Sequence, residues 1–217
     1  DALPISSYPD YADLREATAS FAGGLVAFGV MASQVAASSS ASPEIRTAMF
    51  VSGNFFAAMG VQPELGRAFV PAEDEVPGRD AVAVVSSRFG QRALDADPAV
   101  VGRRLLVNGT EFTVVGVAPE SFTGLDLFLR PDFYVPIMMW PALVGTDRPS
   151  PLEQRDRRVL ELKGRFRAGV TLEQAAADVA RIGAALAQEY PATNQGYEMH
   201  VRTELENRFV ENAFLVT

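Results

Sequence analysis

One histidine and no cysteine set the first bounds on the chemistry available to this sequence. His200 lies in the run EMHVR. A histidine base needs a nucleophile to deprotonate and a third group to orient it, and the sequence singles out neither. A packed or surface histidine is therefore the preferred reading. Without cysteine there are no disulfides, thiolate metal sites or thiol nucleophiles, and one imidazole leaves few options for a zinc site or a histidine-based triad. Ser86 and Ser87 follow an apolar run, as a nucleophile on a strand-to-helix turn would, but G-x-S-x-G is absent. Capping of the next helix accounts for them.

Glu73, Asp74 and Glu75, with Asp80, offer the hard oxygen ligands that calcium takes. Their spacing matches no EF-hand loop, so they read as an exposed, solvated acidic corner. Asn108–Gly109–Thr110 is formally a glycosylation sequon, but turn chemistry explains the same residues. Arg103–Arg104 and Arg155–Arg157–Arg158 are small basic clusters. The second could face lipid headgroups or form interdomain ion pairs, and the nearby Glu153, Asp156 and Glu161 favour ion pairs. Phe55, Phe56, Met59 and Phe69 read as core rather than as a ligand pocket. No catalytic, cofactor-binding or metal-binding residue is nominated, no cofactor is implied, and a hydrolase is set aside for want of a nucleophile–base pair.

The firmest element is a hairpin at Arg103–Pro119, RRLLVNGTEFTVVGVAP. Leu105–Val107 and Phe112–Val117 flank Asn108–Gly109, the pair best suited to a type I′ turn because both central residues need positive φ. Upstream, Pro9–Phe21 reads as a short amphipathic helix stopped by Gly23–Gly24. Leu25–Val35 and Ile45–Ser52 read as strands around a loose Ala/Ser loop, Ala36–Ser42. Gly53–Gly60 is a helical turn, Gln62–Pro77 an irregular connection, and Ala81–Val85 a strand leading into a helix that reaches about Leu94. Phe133–Ile137 is a further strand.

Trp140–Arg158 has the composition of a linker. Val159–Arg167 alternates as a strand. Thr171 and Gln174 have capping-box spacing at the head of the best helix, whose apolar stripe is Leu172, Ala175, Val179, Ile182 and Leu186. Tyr190–Pro191 ends that helix, Tyr197–Thr203 reads as a final strand, and Phe209–Thr217 turns apolar without a cap. The long helix needs a sheet to cover and its two adjacent strands are too few, so it is expected to pack on the N-terminal strands, leaving the centre as an insertion.

At 217 residues and 48% hydrophobic the chain can bury a substantial core. A net charge of -8 argues against nucleic-acid binding, which needs a basic face that this chain could supply only locally. The opening DALPISSYPDYADL lacks the apolar core of a signal peptide. Ala17–Pro43 is uncharged and long enough to span a bilayer, but its many serines argue against a membrane helix.

NFFAAMGVQPELGRAFVPAED (Asn54–Asp74), VAVVSSRF (Val82–Phe89), DPAVVGRRLLVNGTEFTVVGVAPESFTG (Asp97–Gly124) and DFYVPI (Asp132–Ile137) occur in that order. Together they resemble the periplasmic core domain of MacB-like ABC-transporter permeases, over roughly Tyr8–Thr203. The resemblance implies an α+β fold of two subdomains: a porter-like α/β sandwich from both chain ends (1–61 and 143–217) and an inserted β-rich subdomain (62–142). It also implies a non-catalytic domain on the extracytoplasmic side of the bacterial cytoplasmic membrane, between two transmembrane helices of its own chain. Its role there would be to couple ATP-driven helix motion to rearrangement outside the membrane during export or efflux. The implied partners are the flanking helices, a second permease copy, an ATPase domain or subunit and a periplasmic adaptor, and no nucleic acid. Hinges are expected near Gly60–Gly66 and Ala142–Ser150. The competing reading is a small-ligand-binding extracytoplasmic module.

Overall fold

A computed structural model describes residues 5–36, 42–93, 99–125, 129–145 and 149–206. In chain order the elements are β1 (Ile5–Ser6), α1 (Tyr8–Ala17), β2 (Phe21–Ala36), β3 (Glu44–Val51), α2 (Phe55–Met59), β4 (Leu65–Gly66), a 3-10 turn (Pro71–Asp74), β5 (Val82–Ser86) and α3 (Ser87–Ala93). There follow β6 (Arg104–Val107), β7 (Thr110–Ala118), β8 (Phe133–Pro136), a second 3-10 turn (Ile137–Met139), α4 (Trp140–Val144), β9 (Leu160–Phe166), α5 (Leu172–Glu189) and α6 (Pro191–Asn194). The architecture is mixed α and β, with parallel and antiparallel pairs in its sheet. It divides into two compact units: a continuous one, Val26–Leu152, and a discontinuous one of Asp1–Leu25 with Glu153–Thr217.

The continuous unit is a barrel. β2 pairs antiparallel with β3, β3 parallel with β8, β8 antiparallel with β5, and β5 parallel with β7. β7 then pairs antiparallel with β6, and β6 returns to β2 through Val35↔Val107 and Ala36↔Leu106, closing the ring. Closure removes the exposed edges that an open sheet would leave. The hairpin is the closing device: Asn108 at φ 47 and Gly109 at φ 85 make the expected tight turn. Asn108 also joins the hairpin to neighbouring chain. Its backbone N–H donates to Gln34 O (2.8 Å), its Oδ1 accepts from Gln34 N (2.8 Å), and its Nδ2 donates to Leu143 O (3.1 Å). Where β4 meets β7 the backbones nearly touch, and a Cβ at Gly116 would lie 2.2 Å from Arg67 O.

Both faces of the barrel strands are buried. Ala48, Phe50, Phe133, Val135, Leu105, Phe112 and Val114 are sequestered on one side, with Phe50 stacked on Trp140 at 5.5 Å. On the other, Phe28, Met49, Val51, Val84 and Tyr134 pack under α2 through Phe55 and Phe56, with Phe69 alongside. Phe55, Phe56, Phe122 and Tyr134 form a continuous set of ring contacts at 5.2–6.2 Å. Four successive buried residues in β3, Ala48 to Val51, require cover on both faces, which one helix on one side cannot supply.

That requirement explains why the chain does not divide near residue 61. β3 lies in the barrel beside β8, so residues 26–61 belong with the centre rather than with the chain ends. α5 packs on α1 and α6. The two crossings fall at Leu25/Val26 and Leu152/Glu153 rather than near Gly60–Gly66 and Ala142–Ser150. Trp140–Arg158 is not simply a linker either. Pro141 sits in the first turn of α4, where a missing N–H costs little, and Trp140, Leu143 and Leu152 are buried.

In the discontinuous unit, β1 pairs antiparallel with β9, Ile5↔Glu161 and Ser6↔Leu160. Gly164 of β9 lies against Phe21, where a Cβ would come within 2.6 Å of that ring. α1 is shorter than expected: Ser7 caps its start by accepting from Asp10 N (3.2 Å), and the helix ends at Ala17. Gly23 and Gly24 do not stop it but lie inside β2 at positive φ. α5 opens with the expected reciprocal capping box between Thr171 and Gln174 and buries Ala175, Val179, Ile182 and Leu186. Residues 197–203 form no strand, because Met199 packs against Gly183 of α5 and the Tyr197 ring covers an arginine. Thr203 and Glu206 make a reciprocal cap that the sequence reading missed. Parts of the Ala36–Ser42 loop, and Phe209–Thr217, lie outside the described residues.

Candidate functional site

Helix α1 carries Asp10 in its first turn, where a carboxylate would ordinarily face solvent and complement the helix dipole. Here it is 0% exposed. Arg155 Nη1 donates to Asp10 Oδ1 at 2.6 Å, and Arg155 Nη2 lies 2.8 Å from Asp13 Oδ2, so one guanidinium spans two carboxylates one turn apart. Asn194 Nδ2 of α6 also donates to Asp10 Oδ1 (2.8 Å). Arg158 Nη2 stands 3.9 Å from Asp10 Oδ2 while donating to Thr193 O (2.7 Å) and Asn194 Oδ1 (3.2 Å). Tyr190 covers the Arg155 guanidinium with its ring centre at 3.7 Å, and Tyr197 covers that of Arg158 at 4.1 Å.

The electrostatics follow from this packing. Burial alone would lower the affinity of Arg155 for its proton, but the bonds to Asp10 and Asp13 outweigh it and raise the guanidinium above its ordinary value. Burial pushes the Tyr197 phenol up, and Asp10 adds to the shift while Arg158 opposes it. A second tie lies nearby: Asp178 of α5 accepts from Thr18 Oγ1 (2.7 Å) and Ser20 Oγ (2.9 Å). Those bonds, Thr18 first and then Arg181, hold its carboxyl below the usual carboxylate range. These arrangements fasten chain segments to one another. They contain no exposed nucleophile beside a base.

The residues weighed from sequence are dispersed. His200 is exposed, 3.4 Å from Glu198. Ser86 accepts from Phe89 N (3.2 Å) and so caps α3 as expected, and Ser87 accepts from Gln91 Nε2. The acidic corner differs from expectation. Glu73 is buried and takes a two-pronged bond from Arg67, at 2.7 and 3.0 Å, plus one from Val70 N (2.9 Å), while Asp80 pairs with Arg79. Among the described residues no group of three or more His, Asp or Glu is placed to hold a metal. Phe55, Phe56 and Phe69 are core, with Met59 packed at its edge. The arginine cluster does form ion pairs, with Asp10 and Asp13 as partners of Arg155 and Asp10 beside Arg158. Sequence reasoning missed Asp10 because a first-turn aspartate looks solvated. The three crowded arginines downstream were the available signal.

No curated relative matches at the sequence level. Three solved structures share the fold. The periplasmic region of MacB from Actinobacillus actinomycetemcomitans superposes with a TM-score of 0.65 at 12% identity, covering 98% of this chain and 84% of that one. The extracellular domain of the noncanonic ABC-type transporter YknZ from Gram-positive bacteria gives 0.62 at 13%, covering 88% and 87%. A permease-protein domain from Porphyromonas gingivalis gives 0.61 at 14%, covering 88% and 76%. The fold is thus that of extracytoplasmic permease domains. The family model described as the MacB-like periplasmic core domain matches residues 3–189, and the chain belongs to that family. It is a non-catalytic family of transporter domains. Among the described residues no helix is long and apolar enough to cross a membrane.

Proposed function

We propose that this domain transmits ATP-driven motion of permease membrane helices to the extracytoplasmic space, in service of export or efflux. The observation that supports it is the chain's path. The described chain begins, at residue 5, and ends, at residue 206, in the same unit, and the barrel is a single uninterrupted excursion between the two. Such a path suits a domain inserted between consecutive membrane helices. Displacement of those helices would then act first on the unit of the chain ends, and through two crossings on the barrel. On this reading the flanking helices belong to the same chain and the ATPase lies in a separate domain or subunit. A second permease copy and a periplasmic adaptor complete the assembly.

The test uses the parent permease with its ATPase in proteoliposomes. Replacing Val26–Leu152 with a short Gly/Ser linker should leave ATP hydrolysis in place and abolish export. Undiminished export by the shortened permease would overturn the coupling role.

A further inference from the structure

Asn108–Gly109 is the one Asn-Gly pair in the sequence, and both residues are exposed at the tip of the hairpin that closes the barrel. With no side chain on Gly109, its backbone nitrogen is unshielded and can act as a nucleophile toward the asparagine before it. Once it has given its proton to hydroxide, that nitrogen attacks Asn108 Cγ. A Cγ–N bond forms, the Cγ–Nδ2 bond breaks, and the amide leaves as ammonia with a proton taken from water. Water then opens the cyclic imide at either carbonyl. One opening gives aspartate; the other gives isoaspartate, whose backbone runs through the side chain and is one methylene longer. Nothing is oxidised or reduced.

The closed barrel holds the Asn108 carboxamide out of this reaction. Oδ1 accepts from Gln34 N (2.8 Å) and Nδ2 donates to Leu143 O (3.1 Å), so chain outside the hairpin engages both ends of the amide. Swinging Cγ onto the Gly109 nitrogen breaks both bonds. Either product fails at the same contacts. Leu143 lies in the last turn of α4, where carbonyls lack partners inside the helix. An aspartate has no N–H for that carbonyl and sets a carboxylate against the negative end of a helix. An isoaspartate adds a backbone atom to a two-residue turn. That disturbs the register Val107↔Thr110, and with it the pairs Val35↔Val107 and Ala36↔Leu106 through which β6 reaches β2.

We propose that Asn108 is a deamidation site gated by closure of the barrel: its bonds to Gln34 and Leu143 protect it while β6 is paired with β2, and once the reaction has run the hairpin no longer closes the ring as before. An opening of the barrel is thereby recorded as an irreversible change at one residue. The inference is independent of the coupling role above and is tested without any transport measurement.

Peptide mapping by mass spectrometry on the purified 217-residue chain, aged in mildly alkaline buffer, reads the reaction directly. Conversion at Asn108 should be at least about tenfold slower in the folded chain than in the urea-unfolded one. Val35→Ala thins the buried β2–β6 contact without touching the Asn-Gly pair, and should speed conversion in buffer. If that variant does not fold, low urea on the wild type supplies the same graded opening and should give the same acceleration. Asn108→Asp reproduces one product, and should lower the urea midpoint reported by the fluorescence of Trp140, in the same helix as Leu143. Equal conversion in the folded and unfolded chains overturns the gating, and an unchanged midpoint in Asn108→Asp overturns the effect on closure.

Discussion

The two units solve the same problem with opposite materials. The barrel closes its strands on themselves and fills both faces with aliphatic and aromatic side chains. The unit of the chain ends has less sheet and ties its segments with Asp10, Arg155, Arg158, Asn194 and Asp178. Apolar burial is non-directional and tolerates small shifts. Charged ties are directional, and breaking one leaves a desolvated group behind.

The sharpest way to break the contrast is to attack the barrel's packing. Phe56→Ala removes a ring that touches Phe55, Phe69, Phe122 and Tyr134, and should cost about 3–5 kcal/mol. The chain's single tryptophan, Trp140, is buried in the barrel unit, so its fluorescence follows that unit during urea unfolding. The midpoint should fall in that signal, with α5 amide protection falling less. Equal loss in both would show that the units do not differ in what holds them.

Next in size is the closing turn. Gly109→Val places a β-branched residue at φ 85 with open space around the new Cβ, so any penalty is backbone strain rather than collision. A loss of about 1–3 kcal/mol is expected in the same fluorescence signal. An unchanged midpoint would mean that the turn does not hold the barrel shut.

Local structure was legible where one residue type has one physical use. Asn-Gly at positive φ, the Thr171–Gln174 cap and the stripe on α5 follow from short-range rules. What sequence did not show depends on distant partners. The return of β6 to β2 joins residues about seventy apart, and no local period encodes it. The parallel pairing of β3 with β8 likewise moved residues 26–61 into the barrel. Asp10 looked like an ordinary helix-start carboxylate, and only the fold brings Arg155 and Asn194 to it. Trp140–Arg158 has a linker's composition, yet Pro141 sits in the first turn of α4, because proline opens helices as readily as it ends them.

A smaller effect tests the charged side of the contrast. The Asp178 carboxyl is held below its ordinary value, so its contribution is present above about pH 4 and is lost as pH falls through the lowered folded value. Between neutral pH and mild acid, α5 protection should stay level. Below about pH 4 it should weaken, and Asp178→Asn should remove part of that slope. A variant with the same acid slope as wild type would mean that the ties to Thr18 and Ser20 contribute nothing to the helix.

The smallest expected change is the most diagnostic for the barrel. Tyr134 packs its ring against Phe55, Phe56 and Phe122, its buried hydroxyl has no hydrogen-bond partner among the described residues, and burial raises the phenol above its ordinary value. If the barrel is held by packing, that hydroxyl is a desolvated burden. Tyr134→Phe keeps the ring and should then be neutral or stabilising by about 1 kcal/mol at pH 7. The sign reverses the usual carboxylate case: a raised phenol keeps its full contribution below the unfolded value near about pH 10, and stability falls above it, because only the unfolded chain can then ionise. Tyr134→Phe should accordingly flatten the alkaline loss seen by Trp140 fluorescence. A cost of more than about 2 kcal/mol at neutral pH would mean that the hydroxyl is bonded and contributes to stability.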